Sequence, residues 1–182
     1  MDRSNHYEAA FEAYLQWRRL CYVAVDESRR ALHGDQPVKS LDFVVYGNGG
    51  ARLLVDVKGR RFPTGPAARQ RRVWECWSTL EDLRGLEQWT ELFGPGYQSL
   101  FVFVYHVLPS ETLPVETEDF WTWRGRRYLL RGIPANDYRR AMRVRSPKWG
   151  TVSLPGAIFR QLVQPFHHFT QAPPVLLETC PF

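Results

Sequence analysis

The sequence predicts an α/β fold, a mixed central sheet flanked by helices, on three observations. Residues 41–46 and 53–57 are almost unbroken apolar runs joined by Gly47-Asn48-Gly49-Gly50, the pattern of a hairpin whose strands are covered on both faces. A third apolar run, QSLFVFVYHVL at 98–108, has the length and β-branched and aromatic content of another buried strand. Segments with apolar residues at three- and four-residue spacing stand before the first run and between the second and third, at 5–20 and 73–93.

At 182 residues the chain is long enough for a single domain with a sizeable core. Hydrophobic residues make up 44% and charged residues 24%, which excludes a disordered chain. No apolar run reaches membrane-spanning length, and the first thirty residues are too charged for a signal peptide, so a cytoplasmic protein is expected. Cys21, Cys76 and Cys180 are far apart and odd in number, which indicates neither a disulfide framework nor a zinc ribbon.

Taken in order, 5–20 is an amphipathic helix with Asn5 as N-cap, Glu8 three residues on, and Phe11, Tyr14 and Leu15 as its apolar stripe. Residues 21–25 form the first strand. Residues 26–32 are a short helical or irregular piece ended by Gly34 and Pro37. The 41–46 and 53–58 hairpin follows, then a loop marked by Pro63, Gly65 and Pro66. A helix at 73–93 is stopped by Gly94-Pro95-Gly96, and its acids, Glu75, Glu81, Asp82, Glu87 and Glu91, make a negative outer face. After the 98–108 strand comes a second hairpin at 120–133 with Gly125 at its turn. A last helix runs over 154–163, and a proline-rich extended tail closes the chain.

The buried hairpin carries charge that needs a reason. Asp42, Asp56 and Lys58 lie in or beside its strands, and a buried carboxylate is costly unless a cation or hydrogen bonds compensate it. Asp56 and Lys58, two apart, project to one face. Closing the hairpin around Gly49 sets Asp42 opposite or diagonal to Asp56, roughly 5 Å or about 7–8 Å away. Two carboxylates at that span can share a divalent cation beside an ammonium. The alternative is a core ion pair between Lys58 and one aspartate.

Positive charge is concentrated in two places. Residues 57–73 hold Lys58, Arg60, Arg61, Arg69, Arg71 and Arg72 and no acid. Residues 120–160 hold ten Lys/Arg and one Asp, while the whole chain is only +5. There Arg139, Arg140, Arg143, Arg145 and Lys148 interleave with Tyr138 and Trp149, a footprint suited to nucleic acid. His106 reads as a core strand residue. His167 and His168 are adjacent but have no third ligand near them in sequence.

Asp42 followed fourteen residues later by Asp56-Val57-Lys58 resembles the D…(D/E)-x-K signature of the PD-(D/E)XK nuclease superfamily. The run LDFVVYGNGGARLLVDVK looks most like the Holliday-junction-resolving nucleases, and the resemblance spans roughly residues 6–62. Leu41 stands where the superfamily name has Pro, and the second acid is the shorter Asp. The resemblance implies a restriction-endonuclease-like core with the basic 118–182 region as a C-terminal extension. It implies hydrolysis of DNA, duplex or branched, with Mg²⁺ or Mn²⁺, and it suggests a homodimer. Asp42, Asp56, the Val57 carbonyl and a helix glutamate would bind the metal, and Lys58 would orient the attacking water. Glu8 and Glu12 share a helix face; the order Glu-x-x-apolar-x-x-apolar-apolar selects Glu8. The competing expectations are a nuclease-like module that binds without cutting, and an unrelated fold in which the three charges are structural.

Overall fold

A computed structural model of the chain describes residues 5–26, 31–33, 36–63, 73–111, 113 and 117–171. Helix α1 (His6–Trp17) leads into β1 (Cys21–Ala24). A small hairpin, β2 (Ala31–His33) and β3 (Gln36–Val38), precedes β4 (Phe43–Tyr46) and the long β5 (Arg52–Arg61). Next come β6 (Ser78–Thr79), α2 (Leu80–Phe93) and β7 (Tyr97–Val107). The hairpin β8 (Phe120–Trp123) and β9 (Arg126–Pro134) is followed by α3 (Ala135–Ala141), β10 (Arg143–Ser146) and β11 (Thr151–Ser153). Helix α4 (Gly156–Leu162), β12 (Gln164–Pro165) and α5 (Phe166–Gln171) complete the described chain.

Among the described residues the central sheet runs β1-β4-β5-β7-β9-β12, with β8 also paired to β9. The β4–β5 hairpin is antiparallel, with Phe43 opposite Val55, and Gly49 and Gly50 turn it at φ +87° and +85°. Side chains there would resist that conformation. Strands β5 and β7 are parallel, joined by the crossover through α2, and all other pairs in the sheet are antiparallel. Both faces are covered. Phe11, Tyr14 and Leu15 of α1 pack on Phe43, Val55, Val57 and Val102. Leu83 and Leu86 of α2 pack on Leu54, Phe101 and Phe103 on the other face. Successive residues of β5 and β7 therefore serve opposite cores, which is why their sequences are continuously apolar rather than alternating.

Four expectations need correcting. The second helix starts at Leu80, not at 73. Thr79 Oγ1 accepts the Asp82 N–H at 3.0 Å and the Asp82 carboxylate accepts the Thr79 N–H at 3.3 Å, a closed capping box. Upstream, 73–77 is not helical, and side chains take its carbonyls: Tyr105 Oη donates to Glu75 O at 2.9 Å, Tyr138 Oη to Cys76 O at 2.8 Å, and Arg60 to Trp77 O. Residues 31–33 are strand rather than helical or irregular, because they pair with 36–38. The sheet reaches beyond 98–108: β9 pairs with β7 over eight residues, so the basic 118–182 region supplies part of the central sheet. The chain also makes two helices that were not expected, α3 and, after Val163, α5, the latter held in place by Phe166 in the α1-side core. The tail prolines 173, 174 and 181 lie outside the described residues.

Candidate active site

The two aspartates meet where β4 ends and β5 continues. Asp42 is one residue before β4, and its N–H donates to Val55 O at 2.9 Å, which keeps the hairpin register. Its carboxylate Oδ2 accepts the Val57 N–H at 2.5 Å. Past that point, among the described residues, no strand flanks β5 on this side. Alternate backbone groups of a strand point to opposite neighbours. Val55 and Val57 face the β4 side, so the Val57 carbonyl opens into the notch that Asp42 caps.

Asp56 and Lys58 project to the α2 face, as their two-residue spacing requires. Lys58 Nζ lies 2.8 Å from Asp56 Oδ1 and 2.8 Å from Asp82 Oδ2, and all three side chains are nearly buried. Asp82 is fixed from behind by Ser78 Oγ at 3.2 Å and by its capping bonds to Thr79. One ammonium is thus shared by two carboxylates, and the three pKa directions express the competition. Burial pushes Asp56 up to about 6; Lys58 opposes that and Asp82 adds to it. Burial works against the Lys58 charge, but Asp56 and Asp82 outweigh it and raise its pKa. Burial also works against Asp82, yet Lys58 and Thr79 hold it below the usual carboxylate value. Asp56 is therefore the acid that gives way first, and Asp82 is the anchored partner of Lys58.

Glu8 reaches the same place from the opposite face of the sheet. Gly59 has no side chain, and a Cβ there would fall 2.2 Å from the Tyr7 ring. The Tyr7 ring occupies that gap and seats the first turn of α1 against β5. Asn5 caps the helix by accepting the Tyr7 N–H at 3.1 Å, and its Nδ2 donates to Glu8 Oε1 at 2.6 Å. Glu12 points elsewhere, accepting the Tyr22 hydroxyl at 3.0 Å. The result is a cleft of 180 Å³ lined by Glu8, Asp42, Asp56, Val57, Lys58 and Asp82, with Lys39 and Ser40.

The structure thus brings together Glu8, Asp42, Asp56, Val57 and Lys58, and it adds Asp82, which the sequence reading placed on the outer face of its helix. A signal existed in Thr79-x-x-Asp82, a capping pattern that a helix beginning at 73 conceals. Lys39 and Ser40 have no such signal. They reach the cleft because Gly85 lets α2 close on this segment, its missing Cβ 2.8 Å from Lys39 Cβ, while Trp89 Nε1 donates to Lys39 O at 2.9 Å.

The basic residues divide. Arg60 belongs to β5 and not to a loop. It is buried, its guanidinium 4.0 Å over the Trp77 ring and bonded to the Gly59 and Trp77 carbonyls, so it is a packing residue rather than a phosphate contact. Arg61 ends β5 and is exposed. Arg69, Arg71 and Arg72 lie outside the described residues. Arg139 pairs with Glu87 at 3.3 Å, and Arg140 stands 3.8 Å from Asp137. Arg143 and Arg145 are exposed on β10, and Lys148 lies beside the exposed Trp149. Strand β10 pairs with β11, and β11 pairs with β6, which runs directly into the Thr79–Asp82 cap. The basic strand is therefore tied to the element that holds Lys58. Arg145 and Arg60 stand over the same ring, Trp77, at 5.3 and 4.0 Å.

No protein-family model and no curated protein matches the sequence. Among solved structures the fold is similar to Hjc, a Holliday junction resolvase from the archaeal hyperthermophile Archaeoglobus fulgidus. The TM-score is 0.51 at 14% identity, over 91% of this chain and 98% of that one. At that identity the likeness is one of fold: a mixed sheet flanked by helices, of the restriction-endonuclease-like kind.

Proposed function

We propose that this cleft hydrolyses DNA phosphodiester bonds with the help of a divalent cation. The observation that carries the reading is the meeting of Glu8, Asp42, Asp56, the Val57 backbone and Lys58 in one small cleft at the open side of β5. The donor set is all oxygen, three carboxylates and a carbonyl, which fits a hard ion such as Mg²⁺ or Mn²⁺ and does not suit a thiophilic one. Asp42, Asp56 and the Val57 carbonyl would hold it, with Glu8 from α1. When bound, such an ion supplies Lewis acidity toward water and phosphate oxygen.

The chain's own residues do the rest. Asp42 is held in place by the Val57 N–H and keeps the notch open to substrate. With Asp56 committed to a cation, Lys58 would keep its second partner, Asp82, and so would remain beside the reacting phosphate. There its charge opposes the negative charge that develops in the transition state. Arg143, Arg145 and Lys148 offer a surface that tracks a phosphate backbone. A homodimer acting on duplex or branched DNA is the assembly we associate with this chemistry.

A module that binds DNA without cutting is the second reading, favoured by one observation: Lys58 and its two carboxylates already form a self-contained ion network. A cleavage screen with Mg²⁺ or Mn²⁺ on linear, single-stranded and branched DNA decides between them. Metal-dependent products that vanish in Asp56→Asn support hydrolysis. Retention of DNA without products, at every metal and substrate, supports the module.

A further inference from the structure

A second cluster of metal-ligating side chains lies outside this cleft. Glu118 precedes β8, and His167 and His168 open α5; the fold brings one ligand atom of each within 4.8 Å of the others. His168 Nε2 is 3.4 Å from Glu118 Oε2, a separation that two ligands of one four-coordinate ion adopt. Glu118 and His168 are about half exposed, so an ion can reach them from solvent.

His167 is prepared in a way that a surface histidine is not. The Asp119 carboxylate, 3% exposed, receives three donors: the Tyr14 hydroxyl at 2.5 Å, the His167 backbone N–H at 2.7 Å and His167 Nδ1 at 3.1 Å. Asp119 engages Nδ1, which leaves Nε2 as the ring nitrogen of His167 not held by that carboxylate. A carboxylate behind the far nitrogen is the arrangement that orients a metal-binding histidine and raises its basicity. The backbone is committed as well: Asp119 adopts φ +55°, costly for a residue other than glycine, and Arg131 donates to Glu118 O at 2.9 Å.

We propose that Glu118, His167 and His168 bind one borderline transition-metal ion of the zinc class, with water completing the shell, and that the ion clamps α5 to the turn before β8. Two imidazoles and a carboxylate favour such an ion over Mg²⁺, which suits the all-oxygen cleft instead. No ligand is shared between the two places.

The full chain should be titrated with Zn²⁺ in excess Mg²⁺ by calorimetry, with the melting temperature followed in parallel. One equivalent should bind saturably and raise the melting temperature. His168→Gln and Glu118→Gln, both on exposed positions, should fold normally and lose the affinity by about tenfold or more. Asp119→Asn should lose it by roughly 10–100-fold through His167 alone. Absence of saturable Zn²⁺ binding, or Zn²⁺ that binds His168→Gln as tightly as the natural chain, overturns the site.

Discussion

Lys58 Nζ lies 2.8 Å from Asp82 Oδ2, a bond between the middle of β5 and the first turn of α2. It holds the ammonium in place independently of Asp56. Asp82→Asn leaves Lys58 with Asp56 alone, so that pair should tighten and resist the incoming cation. Cleavage should fall by about tenfold with its Mg²⁺ dependence shifted to higher concentration, and stability should fall by roughly 1–3 kcal/mol. Rates across a Mg²⁺ series, with circular dichroism as the folding control, check both parts.

Removing the other ends of the network separates binding from chemistry. Asp56→Asn takes away an anion while keeping the shape; it should abolish metal-dependent cleavage and leave DNA retention intact or tighter. Lys58→Ala keeps the carboxylates but removes the charge beside the phosphate, a loss of about 10²–10³ in rate. A well-folded Lys58→Ala protein that cuts at the natural rate would falsify the assigned role.

The raised pKa of Asp56 has a stability consequence with a definite sign. Between the unfolded value of 3.8 and the folded value of about 6, the folded chain holds a proton that the unfolded chain has lost. This group therefore favours folding at low pH, and its contribution is lost as pH rises through 6. His6 and His106, both lowered by burial and Arg126, act in the opposite sense near the same pH. The comparison of interest is thus natural chain against Asp56→Asn. Relative to the variant, the natural chain should lose roughly 2 kcal/mol between pH 4 and pH 7. Denaturant melts at four or five pH values measure it, and a difference flat with pH contradicts the assignment.

The arginines should sort by position. Arg143→Glu with Arg145→Glu should weaken DNA binding and reduce the log–log salt slope by roughly 2, at about 0.9 per phosphate lost. Arg60→Ala should change the slope little and cost stability instead, since the side chain is packed on Trp77. Filter binding from low to moderate salt distinguishes these outcomes, and an Arg60 variant that is stable but blind to DNA reverses the assignment.

Gly59 and Tyr7 form a pair that a double variant can expose. Gly59→Ala places a methyl 2.2 Å from the Tyr7 ring and should cost about 1–3 kcal/mol by overpacking. It should also draw Glu8 from the cleft and lower the rate. Tyr7→Ala added to it should recover part of the stability but not the rate. Strictly additive stabilities mean the two residues are not in contact.

Most of this framework could be read from residue patterns. The hairpin, the 98–108 strand and α1 follow from apolar runs and an Asn cap, all of them local signals. The convergence of Asp42, Asp56 and Lys58 was legible because strand parity converts spacing into direction, while Glu8, on a helix, was singled out only by the residue order of the resembled nucleases. Asp82 was not, since its place depends on where α2 begins, and Tyr105, Tyr138 and Arg60 take the carbonyls of 75–77 just before it. Arg60 was misread for a related reason. Charge alone marks it as a loop residue, while β5 runs on to Arg61 because β7 pairs with it to His106. The Glu118–His167–His168 cluster was hidden because nearly fifty residues separate its members.

Asp42 also has a task that no chemistry requires. Its carboxylate takes the Val57 N–H where β4 has stopped, so it stands in for the missing strand and blunts a backbone edge open to pairing with another chain. A relative without nuclease activity would still need an acceptor at 42 to cover that edge, whereas Lys58 would be released as soon as Asp56 and Asp82 became neutral. Decay of this site should therefore be ordered: the lysine and its two partners drift together, and the first aspartate outlasts them as a piece of architecture.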